Sequence, residues 1–106
     1  MNPLSIRGVA AWEDTEEGPT EHELSRTPHM SVTCFCFEEG QELTAHKAGR
    51  DMCIYIERGR VVVMSGEGKV EMGPGQIIVI PAGDSRGIEA RERAVVLVIQ
   101  SPPEHY

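Results

Sequence analysis

From Met30 onward the chain breaks into short apolar and β-branched runs, MSVTCFCF, MCIYIE, VVVM, QIIVI and AVVLVIQ, separated by glycine and charged residues. Such runs are too short for helices and lack amphipathic helical spacing, so they read as strands. Five or more in succession predict an all-β barrel or sandwich. The connections agree. SGEGK at 65–69 has hairpin chemistry, and GPG at 73–75 reads as a tight turn feeding the next strand. Pro102 and Pro103 stop the last run and leave a tail at 102–106.

The first 29 residues differ in character. They are polar, with an acidic patch at Glu13, Asp14, Glu16 and Glu17 and breakers at Gly18, Pro19 and Pro28. They read as an arm laid over a barrel spanning 30–101, with one short strand expected near 6–12 and another near 22–25.

A chain of 106 residues fits one domain and one core. Its net charge of −7 argues against a nucleic-acid partner, because binding to a phosphate backbone is driven by Lys and Arg. No apolar run approaches the roughly 20 residues a membrane span needs, and the N-terminus lacks the layout of a secretory signal. The expectation is a soluble, cytoplasmic protein without membrane partners. Cys34, Cys36 and Cys53 are an odd number with no C-x-x-C pair, so they suggest neither a disulfide framework nor a zinc knuckle. They read as small buried core residues.

Two stretches together resemble the motifs of the cupin superfamily, in particular its small single-domain, RmlC-like (cupin 2) members. The first family motif runs Gly, five residues, His, one residue, His, three or four residues, Glu, six residues, Gly. It falls on GQELTAHKAGRDMCIYIERG, with Gly40, His46 and Gly59 in register. The second falls on GQIIVIPAGDSRGIEA, with Gly75, Pro81 and Gly83 in register. The resemblance implies a double-stranded β-helix, or jelly-roll, barrel with the N-terminal arm added to it. It also marks four metal-ligand positions, three histidines and a glutamate. Here they are His46, Ala48, Met52 and Arg86, a degenerate set for which no metal and no cofactor is expected. A divalent transition metal needs three or four converging N, O or S donors, and a guanidinium is a cation without a lone pair to offer.

The resemblance places His46, Arg86, Met52 and Ile54 around a ligand in the barrel. His46 is either a ligand contact and general base or a histidine satisfied by backbone hydrogen bonds. Arg86 pairs with an internal carboxylate such as Asp51, with a bound anion, or with solvent. Met52, Ile54 and Ile56 alternate along one strand and share its inner face, as core or as apolar wall, while Cys53, Tyr55 and Glu57 point outward. His22, His29 and His105 read as exposed histidines of the arm and tail. The leading expectation is a metal-free barrel that binds a small, anionic molecule. The alternatives are a metal-independent sugar or carboxylate isomerase, epimerase or lyase, a metal-dependent dioxygenase, and a purely structural dimer. A homodimer joined through sheet faces is expected, since strands such as VVVM and QIIVI are apolar on both faces.

Overall fold

The five apolar runs fold as strands, and four further strands join them. In the computed structural model, which describes residues 1–13 and 18–103, the strands are β1 (Thr20–Arg26), β2 (Ser31–Phe37), β3 (Glu42–Lys47), β4 (Asp51–Arg58), β5 (Val61–Ser65), β6 (Gly68–Met72), β7 (Ile77–Ile80), β8 (Ser85–Ala90) and β9 (Ala94–Ser101). They form two antiparallel sheets, ordered β1-β2-β9-β4-β7 and β3-β8-β5-β6. This is the jelly-roll expected from the sequence. Part of the acidic patch, at 14–17, and His105 lie outside the described residues.

Period-two alternation places the core. On β4, Met52, Ile54 and Ile56 are buried between the sheets, while Cys53, Tyr55 and Glu57 are half-exposed on the outer face. Phe35 and Phe37 of β2 and Val96 and Val98 of β9 point into the same core. Two glycines shape the connections at the motif ends. Gly75 sits at φ +84° after Pro74, and the Gln76 amide donates to the Gly73 carbonyl at 3.1 Å, so the GPG segment closes a turn whose third residue must accept positive φ. Gly59 has φ +82°, and a Cβ there would lie 2.2 Å from the Arg93 carbonyl oxygen. The close approach of the β4–β5 and β8–β9 connections therefore requires glycine.

The arm crosses the outer face of the five-stranded sheet. Cys34 and Cys36 point outward on β2 yet are fully buried, because Ile6, Ala10 and Trp12 pack over them together with Val95. The strand expected near 6–12 is instead a helical turn, α1 (Ile6–Val9). A sheet face offers side chains but no free backbone partners, so this segment satisfies its peptide groups locally. The Gly8 and Val9 amides donate to the Ser5 carbonyl, and Ala10 donates to Ile6. The strand expected near 22–25 is present as β1, at the sheet edge, pairing with β2.

All three cysteines are free thiols. Burial, followed by the field of Cys36, pushes the Cys34 thiol up to about 12, so it stays protonated and unreactive at neutral pH. Among the described residues, no helix is long and apolar enough to cross a membrane. Beyond the arm, the described residues leave Ile77 and Val79 on β7 61% and 64% exposed on the outer face of the same sheet, across from Tyr55 and Cys53.

Candidate functional site

A cleft of about 340 Å³ opens between β3 and the inner face of the five-stranded sheet. Strand register assembles its sheet side. Met52 lies opposite Gln100 on β9, Glu21 of β1 lies opposite Phe35 of β2, and Val98 fills the space between. β3 contributes Leu43, Thr44 and His46 across the opening. The walls are thus apolar at Phe35, Leu43, Met52 and Val98, with Glu21, Thr44, His46 and Gln100 as the polar groups.

His46 is exposed, and its Nδ1 lies 3.1 Å from the Thr44 carbonyl oxygen. A carbonyl can only accept, so Nδ1 carries the proton in the neutral ring and Nε2 keeps its lone pair free. The ring is therefore oriented by backbone and still has one nitrogen available for a ligand.

Arg86 is the cross-strand partner of His46 in the β3–β8 ladder, but its head group turns away from the cleft. The side chain is 2% exposed. Its guanidinium donates to the carbonyl oxygens of Arg50 at 2.6 Å, Pro81 at 3.0 Å, Asp84 at 3.1 Å and Ala48 at 3.4 Å. Two loops, at 48–50 and 81–84, are thereby tied to one planar cation. Neighbouring bonds close the same junction: the Gly83 amide donates to the Ala48 carbonyl at 2.8 Å, and the Ala82 amide to Asp51 Oδ1 at 2.9 Å. Burial, then the like charge of Arg50, pulls the Arg86 guanidinium below its ordinary value, while Asp51 and Asp84 oppose that shift. Even so, an arginine remains protonated.

Of the four residues expected around a ligand, His46 and Met52 line the cleft. Ile54 does not, being fully buried beneath it in the core. Arg86 does not either: its hydrogen bonds go to peptide carbonyls, and the Asp51 carboxylate acts on it through its field. The residue is too deeply placed to reach solvent, and the ends of two loops provide oxygens at the fork's own spacing. Glu21, Thr44 and Gln100 were the polar groups that sequence reasoning missed. Gln100 had a signal, since it shares inward parity with Val96 and Val98 at the end of an apolar run. Glu21 had none, because its place depends on where the arm pairs.

The cupin metal positions do not fit a divalent ion here. His46 is a lone nitrogen donor, Ala48 has no side-chain donor, Met52 offers only a thioether, and a cation occupies the fourth position. Among the described residues, no three His, Cys, Asp or Glu side chains converge anywhere. Of the remaining histidines, His29 is exposed as expected, whereas His22 is half-buried with Nε2 2.9 Å from the Ala11 carbonyl oxygen.

Residues 33–100 match the sequence profile of the cupin domain family. The chain is a cupin. Among solved structures it is similar to KdgF from Halomonas sp., at 27% identity over 93% of this chain and 94% of that one, with a TM-score of 0.82. A Thermus thermophilus protein superposes with a TM-score of 0.90 at 24% identity, over 98% and 100% of the two chains. An RmlC-like cupin from Desulfovibrio desulfuricans gives 0.81 at 21% identity, over 97% and 100%. These last two likenesses establish the fold alone. Among curated proteins, none matches this cupin significantly.

Proposed function

We propose that this cupin binds a small hydroxylated organic molecule in the cleft between β3 and the five-stranded sheet, without a divalent metal. The observation that carries the reading is the lining itself: an apolar bed of Phe35, Met52 and Val98 crossed by a few polar groups, in a volume suited to one small ligand. The charge on that lining revises the ligand class. With Arg86 withdrawn, the described lining offers an anion no guanidinium or ammonium, so a neutral polyol or hydroxy-carbonyl compound replaces the anion expected from sequence. His46 Nε2, the Gln100 amide and Glu21 would take its hydroxyls, and Phe35 its apolar face.

Thermal-shift and calorimetric screens of neutral sugars against the matching sugar acids test this directly. A neutral sugar should raise the melting temperature, because it binds only the folded state. His46→Ala and Gln100→Ala should each weaken that ligand by about tenfold, the scale of one lost hydrogen bond. A preference for the acids, or unchanged binding in both variants, would falsify the assignment. Elemental analysis of untagged protein should find well below one equivalent of Fe, Mn, Ni or Zn, and a near-stoichiometric metal lost on His46→Ala would contradict the metal-free reading.

A second reading, metal-independent isomerisation, epimerisation or lyase chemistry, is favoured by one observation: Nε2 of His46 is free to act as general base in a cleft that also contains a carboxylate. Turnover of a hydroxy-carbonyl ligand that disappears in both His46→Ala and Glu21→Gln would support it over simple binding. Assembly is part of the same proposal. The outer face around the exposed Ile77 and Val79 is assigned to a second copy of this chain, and the free thiols suit a cytoplasmic setting.

A further inference from the structure

A second cavity, of about 410 Å³, lies between the N-terminal arm and the outer face of the five-stranded sheet. It shares no residue with the cleft. Strand parity also separates the two, since Glu57 and Val95 point outward where Met52 and Val98 point inward on the same strands. Val95 forms the floor, and Ile6, Ala10 and Trp12 of the arm form the apolar walls, with Arg7, Arg58 and Glu57 adding charge at the rim.

Trp12 is a fixed wall. Its indole Nε1 donates to the Phe37 carbonyl at 2.9 Å, and the Arg93 guanidinium stacks 3.8 Å from its ring centroid. Arg93 is itself neutralised by Glu38 at 2.8 Å. Arg58 lies 5.6 Å from the same ring, and among the described residues neither Arg58 nor Arg7 has a carboxylate partner. Among the described residues, the rim therefore sets two guanidiniums against one carboxylate, a positive excess in that lining. An apolar floor, an immobilised aromatic wall and an uncompensated cation are complementary to an apolar body carrying a single negative charge.

We propose that this cavity binds an amphiphilic monocarboxylate. The carboxylate sits between Arg7 and Arg58, and the apolar body lies on Val95 and Ile6 beside Trp12. A second negative charge on the ligand would meet Glu57, which restricts the site to monoanions.

The chain has one tryptophan, so its emission reports on this cavity alone. Octanoate is transparent where tryptophan absorbs, and it is titrated into the full-length protein below its micellar range. The expected result is a saturable blue shift of Trp12 emission with a matching calorimetric heat. Arg7→Ala and Arg58→Ala should each raise the dissociation constant by about tenfold, and octanol should bind about tenfold more weakly than octanoate. Both arginines are exposed, so far-UV circular dichroism and melting temperature should match the wild type, and Arg58→Lys should recover part of the affinity. His46→Ala should leave octanoate binding unchanged. The proposal is overturned by the absence of a saturable signal, by octanol binding as tightly as octanoate, by wild-type affinity in both arginine variants, or by loss of binding in His46→Ala, which would put octanoate in the cleft.

Discussion

Arg86→Ala should lower the melting temperature by about 10 °C without abolishing the fold. The side chain is buried, and its guanidinium ties four peptide carbonyls from two loops. Truncation removes the side-chain donor from all four oxygens, of which Ala48 and Pro81 keep the amides of Gly83 and Asp84, and leaves a void in place of the side chain. Hydrogen bonds involving a charged group contribute about 1.5–3 kcal/mol each, and burying the cation itself has a cost that truncation removes. Water entering from the loop side re-satisfies part of the set, so a net loss of about 2–4 kcal/mol is expected. For a domain of this size each kcal/mol moves the midpoint by about 4 °C.

Two companion variants make the result specific. Arg86→Lys keeps the charge but not the planar fork, so it should recover only part of the loss. Arg86→His restores the residue type that cupins carry at this position, yet it should be destabilised as well and should still bind no metal, because Ala48 and Met52 supply no nitrogen or oxygen side-chain donor. Unchanged melting in Arg86→Ala, measured by calorimetry, would show that the carbonyl cluster does not depend on the guanidinium. Stoichiometric metal uptake by Arg86→His would show that the site needs fewer donors than coordination chemistry requires.

The barrel was legible in the strands that alternate strongly or are apolar throughout. β2, β4, β5, β7 and β9 announce themselves because their inward positions carry Phe, Ile, Val or Met. β3, β6 and β8 do not, since ELTAHK, GKVEM and SRGIEA carry charges or glycine; β6 and β8 are held by ladder pairing to the better-defined β5, and β3 by pairing to β8. The arm misled for a related reason. Ile6, Ala10 and Trp12 share a parity that suits a strand, but no free strand edge lies beneath them. At the site, motif register found His46 and parity found Met52. The register also identified Arg86, but not the direction of its head group, which is set by loop carbonyls brought in from 36 and 38 positions earlier in the chain.

The second large effect concerns assembly. The protein should behave in light scattering as twice its chain mass at micromolar concentration, and Ile77→Asp combined with Val79→Asp should convert it to a folded monomer. β7 is an edge strand of four apolar residues, IIVI, without the charge, proline or bulge that normally protects such an edge. Its exposed pair continues across the sheet into Cys53 and Tyr55 on β4 and then Ile99 and Leu97 on β9. None of these six side chains is charged at neutral pH. Two copies of a chain with net charge −7 repel over most of their surface, so this face is where they can meet without opposing like charges. A two-fold arrangement puts the same patch on both sides, and a stable interface needs about 800 Å² from each partner, which the exposed residues of β7 must share with their neighbours on β4 and β9. The double aspartate variant would bring four carboxylates together at the two-fold and should raise the dissociation constant by at least about a hundredfold, or about 3 kcal/mol. Because both positions are exposed in the isolated chain, the monomer should keep the wild-type circular dichroism spectrum. A wild type that is monomeric at micromolar concentration, or a double variant that remains dimeric, would remove this face from the assembly and leave its apolar surface to another partner.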